Sequence, residues 1–299
     1  KKEIFASALG DPTNFYVFDG LSTDSWYVEL QTRGEITGGI GWHYPTFFRE
    51  GYILRIYGED ATTFQTSEIL APGVAHGMQH SLGAAGGLLF YYSPQGMMAY
   101  DGDYPQDLQQ VFGPSEYSGG LAQSDATDYY IQLTPNQDGP RIYHYDGLRG
   151  IWTVEDSPNI DSMALTEGAE TLLPSIIAMT AGKELTTLKG PGGPWAENKA
   201  AVESFVEFAD FTMESPNRKA VSKLLLRLSL MGTSVTVKIQ YDSSGTWKSV
   251  ATLTAAGKRS YYLPVVPHRC DHFRVRIEAT GEWALHSLAI EYYAGSALH

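Results

Sequence analysis

Short apolar runs closed by turn-forming residues recur along the first two thirds of the chain. The clearest example is GLLFYYSPQGMMAYDG (87–102), in which two apolar runs are joined by a Pro/Gly turn and closed by Tyr-Asp-Gly. This is the pattern of a β-hairpin. The stretch TDYYIQLTPNQDGPRIYHYDG (127–147) repeats it with a longer loop, and PTFFREGYILRIYG (45–58) is a shorter version. The pattern therefore predicts three β-hairpins.

The hairpins follow a regular period. Their closing glycines are Gly20, Gly58, Gly102, Gly147 and Gly190. A bulky apolar side chain follows each glycine after a short interval, at Trp26, Phe64, Leu108, Trp152 and Trp195. About five hairpin repeats of roughly 44 residues are typical of four-stranded propeller blades. We therefore predict an all-β chain with a β-propeller, or a propeller fragment, over residues 1–192. The alternative is a β-rich domain whose hairpins recur without forming a ring.

A strand rich in glycine and alanine precedes most of the hairpins. These predicted inner strands are 36–44, 74–82, 116–124 and 161–168. Small residues suit strands that approach one another closely around a propeller axis. The first repeat has predicted strands at 3–7, 15–18 and 25–30 but lacks an inner strand. We therefore expect either further blades or another segment to complete the ring.

The period ends at Gly190, and KGPGGPWAENK (189–199) reads as a domain boundary. Seven predicted strands follow, at 204–211, 221–230, 234–241, 247–253, 259–266, 272–279 and 283–293. Two of them, SVTVKIQY and HFRVRIEA, alternate apolar with polar residues, so each should cover one face of a core. The pattern predicts a β-sandwich or jelly roll over residues 199–299.

Composition supports a β-rich protein and limits its partners. The 12% aromatic content and the 31 glycines suit short strands and tight turns. The net charge is −13, and the acidic excess lies before residue 200. This argues against phosphate-backbone binding as a main task, and no sequence-specific nucleic-acid partner is expected. No apolar stretch approaches a membrane span, so no membrane partner is expected. The single Cys270 excludes an intrachain disulfide.

Two motifs in the last hundred residues could carry chemistry. Asp242-Ser-Ser-Gly-Thr-Trp247 resembles the aspartate box of sialidase propellers, but its glycine lies three residues after the aspartate instead of two. A hairpin turn is the favoured interpretation. In an extended strand, His268, Cys270 and His272 would share one face and could bind zinc. The favoured alternative is entry into a strand after Pro267, with Cys270 in the core.

The remaining candidates are ordinary turn chemistry. His76 and His80 have a helical metal-binding spacing but fall on a predicted strand. Asp19, Asp101 and Asp146 precede glycine, where an aspartate side chain accepts hydrogen bonds from nearby backbone amides without an ion. No nucleophile, phosphate-binding or metalloprotease motif is present. We therefore assign no catalytic, cofactor-binding or metal-binding residue, and expect no enzyme activity and no cofactor.

Several stretches resemble propeller-bearing structural proteins of bacteriophage tails, of the hub, nozzle or tail-stabilisation kind. They are FASALGDPTNFYVFDGLSTDSW (5–26), the hairpins that end in YDG with IWTVED (151–156), VTVKIQYDSSGTW (235–247) and PHRCDHFRVRIE (267–278). The resemblance covers most of the chain but includes no active-site motif. It implies a propeller followed by a β-sandwich, in a virion component assembled in the host cytoplasm.

The resemblance also sets the expected partners. They are other phage tail subunits and further copies of the chain, with a host-surface glycan as a possible ligand. The alternative hypothesis is a carbohydrate-binding or carbohydrate-active propeller protein with a binding sandwich. Carboxylates clustered with aromatic residues in an axial pocket would favour that alternative.

Overall fold

The chain is all-β, as predicted, and divides into two compact units, Lys1–Gly192 and Gly193–His299. The computed structural model describes residues 3–30, 32–113, 116–136, 139–156, 159–167, 174–189, 196–197, 200–201, 203–214 and 217–294. Helical structure in these ranges is limited to a 3₁₀ turn at Gln79–Ser81 and a single α-helical turn at Gln109–Phe112. No helix in the same ranges is long and apolar enough to span a membrane.

In the described part of the first unit, five antiparallel sheets follow one another in chain order. Sheet A contains β1 (Glu3–Ala6) and β2 (Trp26–Glu29). Sheet B contains β3 (Gly38–Trp42), β4 (Tyr44–Arg49), β5 (Tyr52–Tyr57) and β6 (Gln65–Leu70). Sheet C contains β7 (Gly83–Ala85), β8 (Leu88–Ser93), β9 (Gly96–Tyr100) and β10 (Gln106–Asp107). Sheet D contains β11 (Tyr117–Ser124), β12 (Asp128–Pro135), β13 (Arg141–Asp146) and β14 (Ile151–Asp156). Sheet E contains β15 (Ile160–Glu167), β16 (Pro174–Thr180) and β17 (Leu185–Lys189).

All three predicted hairpins are confirmed. They are β4 with β5, β8 with β9, and β12 with β13. In the second, Ser93 lies opposite Gly96, so the connection is the two residues Pro94 and Gln95. Gly96 has a φ of +117°, a conformation that glycine adopts far more readily than other residues.

Two predicted strands are wrong. Residues 15–18 form no strand, because the first strand pairs with the distant β2 and places Ala6 opposite Trp26. Residues 74–82 contain turns and the 3₁₀ turn, and the first strand of sheet C is the short β7 that follows. The first strands of sheets B, D and E (β3, β11 and β15) lie within or close to the predicted ranges; residue 168, at the end of the last prediction, falls outside the described residues.

Each internal sheet buries both of its faces. In β8, Leu89 and Tyr91 belong to a buried cluster with Phe48 of sheet B. The alternate residue Phe90 belongs to a second cluster, which contains Tyr129 of sheet D. Successive side chains of a strand point to opposite faces. The continuous apolar run in β8 therefore fills two sheet-to-sheet joints at once.

Small residues in β7 of sheet C allow close approach to sheet D. A Cβ atom on Gly83 would lie 2.7 Å from the Tyr129 ring. The Tyr129 hydroxyl donates a hydrogen bond of 2.6 Å to the Ser81 carbonyl, and the Ala84 amide donates one of 3.0 Å to Ser124 Oγ. The glycine is thus required by the joint between sheets C and D.

We predict that Gly83→Ala destabilises the protein, because the added methyl group meets a fully buried ring that has no room to move. Overpacking of this kind costs about 1–3 kcal/mol. The matched control is Gly41→Ala, since a Cβ atom at Gly41 meets nothing within 4 Å. Urea unfolding monitored by circular dichroism should give a lower midpoint for Gly83→Ala only. Equal midpoints for the two variants would contradict this account of the joint.

Among its described residues, the second unit contains two four-stranded antiparallel sheets and a short strand pair. Sheet F contains, in spatial order, β20 (Glu203–Glu207), β26 (Phe273–Thr280), β22 (Val235–Tyr241) and β23 (Lys248–Leu253). In sheet G, the central β21 (Lys219–Leu230) pairs with β24 (Gly257–Pro264), β25 (Arg269–Cys270) and β27 (Trp283–Ala294). The short pair is β18 (Ala196–Glu197) with β19 (Ala200–Ala201).

Sheets F and G share one core. Leu224, Leu226 and Leu228 of β21 belong to the same buried cluster as Val237 of β22 and Ile277 of β26. The seven predicted strands of this region are confirmed, although the first ends at Glu207 rather than at residue 211. Between Cys270 and Phe273 the chain leaves sheet G and enters sheet F.

Candidate functional site

Sheet A exposes a cluster of aromatic side chains. Phe5 lies opposite Tyr27 in register, and their rings stack with centroids 5.9 Å apart. Phe18 meets the Tyr27 ring edge-on at 5.7 Å. Phe5 and Tyr27 are each 51% exposed, and Phe18 is 54% exposed. We call Phe5, Phe18 and Tyr27 the aromatic end face. Monomeric proteins rarely leave such clusters uncovered unless they serve an interaction.

The opposite face of sheet A is covered. Trp26 packs edge-to-face against Phe64, at 5.2 Å, in the segment that leads into β6 of sheet B. Ile4 and Val28 are half-buried on the same side as Trp26. Alternation along the two strands therefore directs the aromatic end face away from sheet B.

Hydrogen bonds fix the loop that carries Phe18. The Ser25 amide donates to the Val17 carbonyl at 3.0 Å. The carboxylate of Asp24, which is 8% exposed, accepts hydrogen bonds from the amides of Gly20 at 2.6 Å and Leu21 at 3.0 Å. The aromatic end face is thus already ordered in the free chain, which lowers the entropic cost of binding a partner.

The face of sheet E that points away from sheet D carries both apolar and polar side chains, because Ser162 lies opposite Met179 and Thr187 lies opposite Ile177. Ile176 and Ala178 of β16 face sheet D and are buried. The alternate residues Ile177 and Met179 are half-buried, and Leu185, which lies opposite Met179, is 76% exposed. We call Ile177, Met179 and Leu185 the aliphatic end face.

The two motifs singled out in the second unit lie together. The 242–247 motif is the hairpin turn between β22 and β23, as predicted. Asp242 Oδ1 accepts a hydrogen bond of 2.6 Å from the Asp271 amide. Ser243 Oγ lies 2.7 Å from His272 Nε2, and His272 Nδ1 lies 3.3 Å from Asp271 Oδ2.

These contacts have the order of a Ser-His-Asp relay, but the surroundings are those of a turn. Ser243 is exposed, and the Asp271 side chain is 68% exposed. A catalytic relay needs an oriented, shielded carboxylate and donors for an oxyanion. The hydrogen bonds instead tie the hairpin turn to the segment in which the chain changes sheets.

The three residues considered as zinc ligands do not converge. His268 packs on the Tyr241 ring at 4.6 Å, His272 contacts Ser243, and Cys270 is fully buried. The favoured interpretation, with Cys270 in the core, is therefore confirmed. Burial is the main cause that raises the pKa of the Cys270 thiol to about 11, and nearby Asp242 raises it further. No group of three or more potential metal ligands occurs in the ranges the structure describes.

We predict that Cys270 in the folded protein reacts very slowly with thiol reagents at pH 7–8, because it is buried and its thiolate is disfavoured. Addition of Ellman's reagent should release about one equivalent of chromophore only in denaturant. As the control for reagent access, Tyr262→Cys adds a thiol at a 68% exposed position and should react rapidly in the folded state. Rapid labelling of the unmodified protein would show that this corner of the core opens.

The other sequence candidates lie in turns. His80 lies in the 3₁₀ turn and His76 in the turn that precedes it, and the His76 amide donates to Glu50 Oε1 at 3.0 Å. Asp101 accepts from the Asp103 amide at 3.0 Å, and Asp146 accepts from the Leu148 amide at 3.0 Å, so turn chemistry is confirmed there. In the first repeat, Asp24 rather than Asp19 binds the Gly20 amide.

One polar cluster was missed by the sequence analysis. His144 Nε2 lies 2.6 Å from Asp128 Oδ1, and His144 Nδ1 lies 3.8 Å from Glu155 Oε1. The Tyr130 ring stacks on the His144 imidazole, with ring centres 4.2 Å apart. Burial is the main cause that raises the pKa of the Tyr130 hydroxyl, and nearby Glu155 raises it further. The residues occupy one face of sheet D, and only their strand register, which no local motif encodes, brings them together.

A glycosidase site needs a cavity lined by two carboxylates. One cavity, of about 10 Å³, lies in the first unit, and Glu68 is its only acidic lining residue. The other, a groove of about 320 Å³ in the second unit, is lined by Phe208, Phe211, His286, Ser287 and aliphatic residues. Neither contains the pair of carboxylates that glycosidases use.

No family model matches the chain, and no curated protein matches it. Solved structures that are similar include a glycoside hydrolase family 43 arabinoxylan arabinofuranohydrolase from Bacillus subtilis in complex with cellotetraose. The identity is 13% and the TM-score 0.22, and the match covers 78% of this chain and 58% of that one. A similarity this low assigns neither fold nor function.

Proposed function

We propose that this chain is a structural component of a bacteriophage tail, of the hub or nozzle kind, that acts through protein–protein assembly. The observation that carries the proposal is the preformed aromatic end face. An ordered, exposed aromatic cluster is expensive to leave in water and is well suited to an interface.

The proposed architecture is a run of propeller-like blades followed by a β-sandwich. Three consecutive four-stranded sheets, each antiparallel and in chain order, support the first part. The core shared by sheets F and G supports the second. A rigid scaffold of this kind presents fixed surfaces to neighbouring tail subunits and to further copies of the chain.

The first test is the mass of the purified protein in solution, measured by light scattering over a range of concentrations. We expect a discrete oligomer larger than the 32.9 kDa chain. The variant Phe5→Ser/Phe18→Ser/Tyr27→Ser should shift the population to monomer. The control Tyr262→Ser, which removes an exposed tyrosine of the second unit, should leave the mass unchanged.

A circular dichroism melt must show that the triple variant is folded. A monomeric wild-type protein at every concentration would contradict self-assembly of this chain. The proposed location of the protein in the phage tail is tested separately. Antibodies raised against the purified protein are added to the phage that encodes it, and the particles are viewed by negative-stain microscopy. Decoration of the tail is the expected result, and particles without decoration would contradict the tail assignment.

A second candidate function, glycan binding, is favoured by one feature of the second unit. On the outer face of sheet F, the Arg276 guanidinium lies 4.0 Å from the centre of the Phe205 ring and 5.9 Å from that of Trp247. Phe205 is 58% exposed. Aromatic rings beside charged hydrogen-bonding groups are a usual composition of sugar-binding surfaces.

This candidate predicts that Phe205→Ala abolishes binding of the protein to a glycan array or to purified bacterial surface polysaccharide. Tyr262→Ala is the matched control, since Tyr262 is exposed in the other sheet. Absence of binding by the wild-type protein would remove this candidate and leave the assembly proposal intact.

A further inference from the structure

Charged side chains cover the outer face of sheet F. Along β26 the core residues Val275 and Ile277 alternate with residues that point outward. Strand register places the outward residues of β20 and β22 beside those of β26. In the described part of the chain, the charged residues that these three strands direct to the outer face are Glu203, Glu207, Lys238, Arg274, Arg276 and Glu278.

Each of the three cations in this set contacts a carboxylate. Lys238 Nζ lies 2.5 Å from Glu278 Oε2, and Arg276 Nε lies 2.8 Å from Glu278 Oε1. Arg274 Nε lies 2.5 Å from Oδ1 of Asp210, which follows β20 in the chain. Glu278 thus neutralises two cations at once, and no outward cation of the three strands lacks an acidic partner.

The outer face therefore has no excess of positive charge. Its cations are matched by Glu207, Asp210 and Glu278, and Glu203 adds a further carboxylate. An acidic sugar would have to displace one of these carboxylates and would be repelled by the others. A neutral sugar meets no such cost, because its hydroxyl groups can donate hydrogen bonds to carboxylate oxygens and accept them from arginine and lysine N–H groups. The charges thus favour a neutral ligand.

Phe205 gives this charged face an apolar platform. It lies opposite Glu278 in register and is 58% exposed. The cation–π contact with the Arg276 guanidinium, 4.0 Å from the ring centre, holds the ring in place. Arg276 is itself held, because its Nη1 lies 3.5 Å from Glu207 Oε2 and its Nε contacts Glu278. The platform is ordered before a ligand arrives, which lowers the entropic cost of binding.

We propose that the outer face of sheet F binds a neutral oligosaccharide. One sugar ring packs on Phe205, and its hydroxyl groups form hydrogen bonds with Glu207, Glu278 and Arg276. This inference rests on the glycan-binding function proposed above and names the class of glycan. An exposed aromatic ring surrounded by paired charges provides both the apolar contact and the hydrogen bonds that an uncharged sugar needs.

A glycan array that carries both neutral and acidic oligosaccharides tests the class of ligand. The full chain should bind neutral glycans, and acidic ones should bind at least about tenfold more weakly because like charges repel. The best neutral glycan is then titrated by calorimetry. Its affinity should change less than about twofold between about 50 mM and about 500 mM NaCl, since the contact pairs no opposite charges that salt would screen. Phe205→Ala should abolish this binding.

A charge substitution tests whether the ion pairs set the selectivity. Glu278→Gln keeps the shape of the side chain but deprives Lys238 and Arg276 of the carboxylate they share. It should raise the affinity for acidic glycans on the same array at least about tenfold, and high salt should remove the gain. The matched control is Glu291→Gln, which removes the partner of Lys223 in sheet G and should leave glycan binding unchanged. Thermal melts establish that both variants are folded.

The outcomes separate the inference from the function on which it rests. Wild-type protein that prefers acidic glycans, or a Glu278→Gln variant that gains no affinity for them, would overturn the neutral class but keep glycan binding. Neutral binding that survives Phe205→Ala would place the sugar on another surface and also overturn the inference. Failure of the wild-type protein to bind any glycan would remove the glycan-binding function itself.

Discussion

The structure of the first unit depends on the need of every β-sheet to cover two faces. Side chains alternate across a strand, so an apolar run such as β8 sends half of its residues each way. Sheet C satisfies both halves against sheets B and D. Buried aromatic rings and glycines occur together for this reason, because a large ring such as Tyr129 fits between two sheets only where the facing residue, here Gly83, has no side chain.

The fold class and the hairpins could be predicted from the sequence because they are encoded locally. Turn residues such as Pro94 and Gly96 fix the register of their hairpin, and the alternation in 234–241 and 272–279 fixes which residues face the core. The errors arose where pairing is not local. Residues 15–18 are apolar enough for a strand, but the partner of the first strand lies twenty residues away in sequence. Residues 74–82 contain small residues, and these are common both in closely packed strands and in turns, so composition did not distinguish the two.

The candidate site could not be predicted in the same way. Phe5 and Tyr27 have the alternation of ordinary strand residues, and the pattern is the same whether or not a neighbouring sheet covers them. Their exposure becomes visible only when the sheets are placed in order. The polar motifs gave the opposite result: they were conspicuous in the sequence, but their side chains bind backbone amides and one another within turns. Compact clusters of Asp, Ser and His residues at strand ends are here part of the scaffold.

The crossing of the chain between the two sheets of the second unit has a consequence for how that unit loses its structure. Residues 269–280 contribute a short strand to sheet G and then, after two residues, a long strand to the centre of sheet F. Ser243 and Asp242 hold the crossing in place through His272 and the Asp271 amide. Separation of either sheet pulls on the same segment and exposes the same leucine and valine core. The two sheets are thus a single cooperative element, whose amide hydrogens should exchange with solvent through one common opening rather than sheet by sheet.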